Sequence, residues 1–512
     1  MKRVLAIARL TFWEGIRMKI VLVFIVVLVF VVLRLPFALR GDETLSGRLQ
    51  TFLSYSLGAM ALFMSLATIF FSCATLTTDI RERSIHLVLT KPVSRFQVLL
   101  GKWLGVNLLN VLMVVLAGLV IYSLAVFIKS RPEQFMRDRV KLNDTVWTSR
   151  AATRPTAPDF DREARERVEA LVEQGRTFTL GKEGAVREIA KELEEDWKRV
   201  EPREAQLYEF AGPAVPDSSD TAYEVRFRAV SVPRGINNPL DIIWVIIDPE
   251  TGVELDRRLT EERSAIRHHI LTRTHVLKNG KVQIAVLNPP TNRGNSIYFE
   301  GNDGLEILYR VGSFEMNFAR NLLLVVLRLA FLSALGLFFG TFVSFPVACV
   351  GTLFVLGLCM IQPFLLDAIG ANVRELNKQT DPYYGLLGQV LDRLVTWVLL
   401  FILGISCWQL GLVSGGSVRI GLIVILAALE VANLELVLYS GAITRSTIKF
   451  ILAFGLPNFA ASNGVPKLID GYAIPLGLIV RAAGQTIVYG LMLLILPGWL
   501  VFRSREIAEV TV

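Results

Sequence analysis

Of the 512 residues, 53% are hydrophobic and only 20% charged, and the formal net charge is +8. A chain this apolar is excluded from the ordinary soluble enzymes. The basic excess does not point to nucleic acid either, because Lys and Arg gather beside apolar runs instead of along one soluble face.

In the first nineteen residues Leu5, Ala8, Phe12 and Ile16 recur at helical spacing, surrounded by Lys2, Arg3, Arg9, Arg17 and Lys19 with Glu14 as the one acid. That pattern predicts a helix lying in the membrane interface, the alternative being an extension of the first span. Crossing about 30 Å of hydrocarbon takes roughly 20 apolar residues. Eight runs fit, near 20–39, 53–76, 104–128, 319–343, 346–369, 394–413, 419–441 and 473–502. The first is read as an anchor and not as a cleavable signal, because Arg34, Pro36 and Arg40 stand where small residues would mark cleavage. For part of 442–471 a re-entrant segment is the alternative to a loop, since Arg445 and Lys449 would otherwise lie outside.

Residues 129–318 change character, with 29 Lys and Arg against 32 Asp and Glu. Of the totals of 54 and 46, this leaves 25 basic and 14 acidic residues for the membrane portion. Cytoplasmic loops carry such an excess, which puts 1–19 and 78–103 in the cytoplasm and the 129–318 domain on the other side. Within that domain Phe160, Ala164, Val168 and Leu171 form one helical stripe ending at Gly175, and Val186 to Trp197 forms a second ended by Pro202. From 221 the period becomes two, Tyr223, Val225, Phe227 and Ala229 facing one way and Glu224, Arg226 and Arg228 the other. Ile242–Ile247 reads as a buried strand, and Val276–Leu287 as a hairpin about Asn279-Gly280. Strands at Ser296–Phe299 and Leu305–Tyr309 follow, giving an α+β domain with a sandwich and a jelly roll both open.

The loop from Asp79 to Lys102 carries the most specific pattern. Ile85, Val88 and Leu89 make a short apolar stripe, and Pro92 cannot continue their helix. Ser94 with Gln97 then forms a capping box, and Val93 with Val98 can close a hydrophobic staple. The sequence Glu82, Leu87 to Leu89, Lys91-Pro92-Val93-Ser94-Arg95 and Gly101-Lys102 resembles the cytoplasmic loop of type-2 ABC exporter permeases, with Ser84 and Ile85 where that family has Gly and Thr. Leu456-Pro457-Asn458-Phe459, Asp470-Gly471, a last span and Arg503 to Glu506 are similar to the family's C-terminal layout.

The resemblance covers 1–128 and 319–512 and implies that the short loop helix docks on an ATPase. On that basis Glu82, Arg83 and Arg95 would be surface contacts, Ser84 would belong to the docking turn, Pro92 and Ser94 would set the bend, and Lys102 would anchor the next helix at the interface. It further implies a separate ABC ATPase binding ATP and Mg, and a second permease copy or homologous permease. Membrane lipid surrounds such a chain, a periplasmic partner is open to the outer domain, and both termini are cytoplasmic in the inner membrane. No cofactor is expected in this chain. Gly101-Lys102 is no phosphate-binding loop, since Trp103 follows it and Phe96 stands where the first glycine belongs.

Ionisable groups at membrane depth are functional candidates, which selects Arg328, Glu430, Glu435 and Arg481, with Asn433 on the face of Glu430. Pairing of Glu430 with Arg328 or Arg481 would neutralise it, a structural alternative to substrate contact. Ser414-Gly415-Gly416-Ser417 reads as a turn, and His268, His269 and His275 lack metal-ligand spacing. The four cysteines, Cys73, Cys349, Cys359 and Cys407, all lie in apolar runs and offer no disulfide framework. The expected fold is a polytopic all-α membrane bundle of about eight spans (1–128 and 319–512) with an inserted extracytoplasmic α+β domain (129–318). The expected function is an export permease without its own ATPase site, the alternative being a membrane-anchored scaffold or receptor that presents 129–318.

Overall fold

The computed structural model describes residues 2–38, 44–82, 93–130, 142–143, 146–174, 176, 181–211, 223–232, 239–248, 251–263, 267–272, 281–301, 304–375 and 457–504. The chain divides into two compact units, one formed by Met1–Trp147, Phe314–Asp470 and Ile474–Val512, the other by Thr148–Ser313 and Gly471–Ala473.

The first unit is helical. Its elements are α1 (Lys2–Arg17), α2 (Lys19–Ala38), α3 (Leu45–Arg81) and α4 (Arg95–Ser130). After the second unit come α7 (Phe314–Gly340), α8 (Phe345–Glu375), the one-turn α9 (Val465–Ile469), α10 (Leu476–Gln485), a π-helical stretch (Thr486–Ile495) and α11 (Leu496–Ser504). Among the described residues five helices are long and apolar enough to cross a membrane: Leu45–Arg81, Arg95–Ser130, Phe314–Gly340, Phe345–Leu366 and Leu476–Phe502. Lys2–Arg17 and Val21–Pro36, bent by 59°, add a sixth if counted as one span. The expected runs at 394–413 and 419–441 lie outside the described residues.

Packing explains which residues face inward. On α2, Val21, Leu28 and Val32 are buried in the same apolar cluster as residues of α3, whereas Leu22, Val26 and Phe30 stay exposed, as a lipid-facing surface requires. α1 buries a face of small residues, Ala8, Thr11 and Gly15, and leaves Leu5, Leu10, Trp13 and Ile16 exposed. Its partner surface on α4 is Gly101 and Gly105, four residues apart. A methyl carbon at Gly105 would sit 2.5 Å from the Ala8 carbonyl oxygen, so only glycine admits this approach. Deeper in the unit, polar side chains bridge the helices. Thr68 donates to Asn110 Oδ1 at 2.9 Å, and the Trp103 indole N–H donates to the Ala330 carbonyl at 2.9 Å.

The second unit is two antiparallel sheets and a helix pair. Its elements in chain order are β1 (Ser149–Thr153), α5 (Phe160–Glu173), α6 (Gly181–Trp197), β2 (Arg199–Val200), β3 (Ala205–Ala211), β4 (Tyr223–Val232), β5 (Pro239–Ile247), β6 (Glu254–Arg263), β7 (Arg267–Thr272), β8 (Lys281–Leu287), β9 (Ser296–Phe299) and β10 (Leu305–Gly312). One sheet has the order β1-β10-β4-β9-β2 with β7 also on β4, and the other has the order β3-β8-β5-β6. Alternating residues of both sheets, among them Phe210, Phe227, Trp244, Ile284, Phe299 and Ile307, form one buried core, which is sandwich packing. The turn at Asn279-Gly280 lies outside the described residues, and β8 pairs with β3 and β5.

The polar face of β4 differs from a simple solvated face. Arg226 is 5% exposed and lies opposite Glu306 of β10, donating to it from Nε at 2.6 Å. Tyr472, from the second passage of the chain through this unit, covers the pair. Its hydroxyl donates to the Glu306 carboxylate, and its ring lies 4.5 Å from the Arg226 guanidinium carbon. Gly471 and Ala473 hold it there through backbone hydrogen bonds with Arg150 at 2.8 and 2.7 Å.

Candidate functional site

The two helices that flank residues 83–92 are finished by their own local chemistry. α3 ends at Arg81, and the Glu82 N–H caps it by donating to the Thr78 carbonyl at 2.8 Å. α4 begins at Arg95 with the capping box complete: the Gln97 N–H donates to Ser94 Oγ at 3.2 Å and the Ser94 N–H donates to Gln97 Oε1 at 3.2 Å. Arg83, Ser84 and Pro92 lie outside the described residues.

Below these caps a buried polar cluster joins three helices. Lys102, on α4, is 4% exposed, and its ammonium lies 2.6 Å from Asp79 Oδ2 on α3. It also donates to the Thr75 carbonyl at 2.9 Å and Thr75 Oγ1 at 3.2 Å. Three N–H donors therefore meet three acceptors, as a buried ammonium requires. The Thr75 hydroxyl donates onward to Glu14 Oε2 on α1 at 3.1 Å. Burial pushes the Glu14 carboxyl above its ordinary range and the carboxylate of Asp79 adds to that, while the Lys102 charge and the Thr75 hydrogen bond oppose it.

Lys102 was expected as an interfacial anchor, and the structure makes it the buried centre of this cluster. Its partners Glu14, Thr75 and Asp79 are not among the candidates that the sequence pattern singles out. The signal was present in Glu14 and Asp79, acids standing among basic residues, but pairing across helices is not visible in a linear pattern.

The root of the loop is also tied to the C-terminal helix. Arg95 Nη1 donates to the Phe502 carbonyl at 2.5 Å, and its guanidinium carbon lies 5.6 Å from the Phe502 ring. A cation on a last-turn carbonyl suits the negative end of a helix. Phe96 meets Trp499 edge to face at 6.0 Å. Leu76, Leu99, Leu337 and Phe502 close one apolar cluster from α3, α4, α7 and α11. Arg95, expected at the surface, is thus engaged within the unit, whereas Glu82 remains exposed, with its side chain 61% accessible.

Of the candidates at membrane depth, Arg328 is half-buried on α7 beside the Phe459 ring, and Arg481 is exposed on α10. Glu430, Asn433 and Glu435, and with them the expected pairing of Glu430, lie outside the described residues.

Residues 5–136 match the family model described as ABC-2 family transporter protein. Comparison with curated proteins and with solved structures gave no match. The matched stretch runs from α1 to just beyond α4 and contains the whole cluster around Lys102 together with the loop above it. Residues 5–136 thus carry an ABC-2 family transporter domain, consistent with a type-2 ABC permease and with a multi-pass membrane protein.

Proposed function

We propose that this chain is the permease of an ABC exporter, working with a second permease copy or homologous subunit and with separate cytoplasmic ATPases that bind ATP and Mg. Substrate crosses by alternating access at the interface between the permeases. The carrying observation is that the family domain at 5–136 and the braced root of the 83–92 loop coincide. A loop that receives force must be stiff where it enters the bundle. Here the capping box, the Lys102–Asp79 ion pair and the Arg95–Phe502 contact tie that root to α1, α3 and α11.

In this reading residues 83–92 form the docking element in the cytoplasm. Glu82 and Arg83 meet the ATPase, Ser84 and Pro92 shape the turn, and Arg95 holds α11 to the loop root. The charge distribution puts both termini in the cytoplasm and the sheet unit outside, in an eight-span topology of the inner membrane. The sheet unit receives or gates substrate, or meets a periplasmic partner.

The test is purification of the full chain from its native membrane with mass spectrometry of what remains bound. A Walker-motif ATPase is expected with the unsubstituted chain and is expected to be lost with Glu82→Lys combined with Arg83→Glu. A chain that retains no such ATPase, and keeps only partners bound through residues 148–313, would be a membrane-anchored scaffold instead.

A further inference from the structure

Inside the helical unit a cavity of about 40 Å³ lies between α7, the turn that precedes α9, and α10 with the π-helical stretch. Leu324, Phe331, Pro457 and Val465 give it apolar walls, and Asn321 and Arg328 reach it from α7. These two residues are seven apart, so they share one helix face about 10 Å apart along the axis, and a long side chain on a helix leans back toward the N-terminus. Arg328 and Asn321 therefore border the same cavity. One face of the Arg328 guanidinium is covered by Phe459, whose ring centroid is 5.1 Å away.

Asn321 is 1% exposed, and among the described residues its Nδ2 and the buried Nε of Arg328 have no acceptor. At the rim Asn463 Oδ1 accepts from the Val465 N–H at 3.1 Å, and the Thr486 hydroxyl, 3.1 and 3.0 Å from the Leu327 and Ala482 carbonyls, is spent as a donor. Among the described residues a guanidinium Nε and a buried amide Nδ2 thus line one cavity without an acceptor, and a group that brings negative charge and several lone pairs would match them.

We propose that this cavity binds an oxyanion, a phosphate or carboxylate, held by Arg328 and Asn321. The apolar walls and the setting among membrane-crossing helices favour an oxyanion carried on an acyl chain, such as a lipid headgroup, over a free anion. On the permease reading the ligand is a cargo or regulatory lipid, a meaning that rests on that reading, whereas binding itself does not.

The test uses the purified full chain in phosphatidylcholine nanodiscs with three probes: dihexanoyl phosphatidic acid, its uncharged diacylglycerol counterpart, and inorganic phosphate. Phosphatidic acid is expected to raise the melting temperature saturably and diacylglycerol to leave it unchanged. Arg328→Gln is expected to weaken phosphatidic acid binding roughly tenfold or more, with Arg328→Lys between, while Lys467→Gln, an exposed cation on α9, binds as the unsubstituted chain does. Displacement of the lipid by inorganic phosphate at comparable concentration would support the site with a free anion as its source, and failure to displace would support it with a lipid source. Equal response to charged and uncharged probes, or unchanged binding by a folded Arg328→Gln protein, would overturn it. The comparison of probes on the unsubstituted chain decides the matter even if Arg328→Gln does not fold. No ATPase is present, so failure here would count against the cavity and not against the permease assignment.

Discussion

Lys102 and Asp79 face each other at 2.6 Å across the foot of the 83–92 loop, the lysine almost wholly buried and the aspartate three-quarters so. Breaking a buried pair by removing one partner costs about 3–5 kcal/mol, because the other charge is left uncompensated. Asp79→Ala is therefore expected to lower the melting temperature of the purified chain far more than the double change Asp79→Ala with Lys102→Met. Additive losses in this cycle would contradict the pairing.

Glu14 adds a pH dependence whose sign can be worked out. Burial raises its pKa above the ordinary value of 4.5. A carboxyl raised on folding favours the folded state while protonated, so its contribution is present below the unfolded value and is lost as pH rises through the folded one. Glu14→Gln is expected to melt higher than the unsubstituted chain at pH 8, with the gain shrinking toward pH 4, in thermal melts across that range. A gain that is constant with pH would contradict the assignment.

Gly105→Leu should detach α1. The added side chain begins 2.5 Å from a backbone carbonyl of α1, which cannot move aside as a flexible side chain can. Proteolysis of the α1–α2 junction in detergent is expected to accelerate in this variant, while Gly58→Leu, where a methyl carbon meets nothing within 4 Å, stays at the unsubstituted rate.

In the sheet unit, Tyr472→Phe removes one donor from a buried carboxylate and is expected to cost about 1–3 kcal/mol. Arg226→Ala leaves Glu306 without its cation and should cost about 3–5 kcal/mol. Melting of the full chain followed by near-ultraviolet circular dichroism ranks the two, and the reverse order would contradict the buried ion pair.

Features set by short-range chemistry were legible in the sequence. Ser94 and Gln97 announce their capping box because both partners lie within one turn, and Ala164 and Val168 announce the buried face of α5 through their spacing. The expected runs at 20–39, 53–76, 104–128, 319–343, 346–369 and 473–502 coincide with α2, α3, α4, α7, α8 and the α10–α11 segment, since sustained apolarity is itself the signal. Long-range pairings were not legible. A lysine at the end of an apolar run reads as a side chain that snorkels to water, and only the fold brings Asp79 and Thr75 to it. Likewise Arg226 reads as the solvent face of β4, and the residue that covers it, Tyr472, arrives from a three-residue passage too short to carry a period. The π-helical stretch inside the last span leaves no mark in an unbroken apolar run.

The proposed permease function requires the 83–92 loop to face the ATPase compartment and the sheet unit to face the opposite side of the membrane. Labelling intact cells with a membrane-impermeant thiol reagent tests this directly, using Ser84→Cys and Val253→Cys with the unsubstituted chain as blank; Val253 is 59% exposed in the sheet unit. Labelling of the residue 253 thiol in intact cells, with the residue 84 thiol reached only after permeabilisation, is the expected result. Labelling of both thiols from the same side would contradict the account.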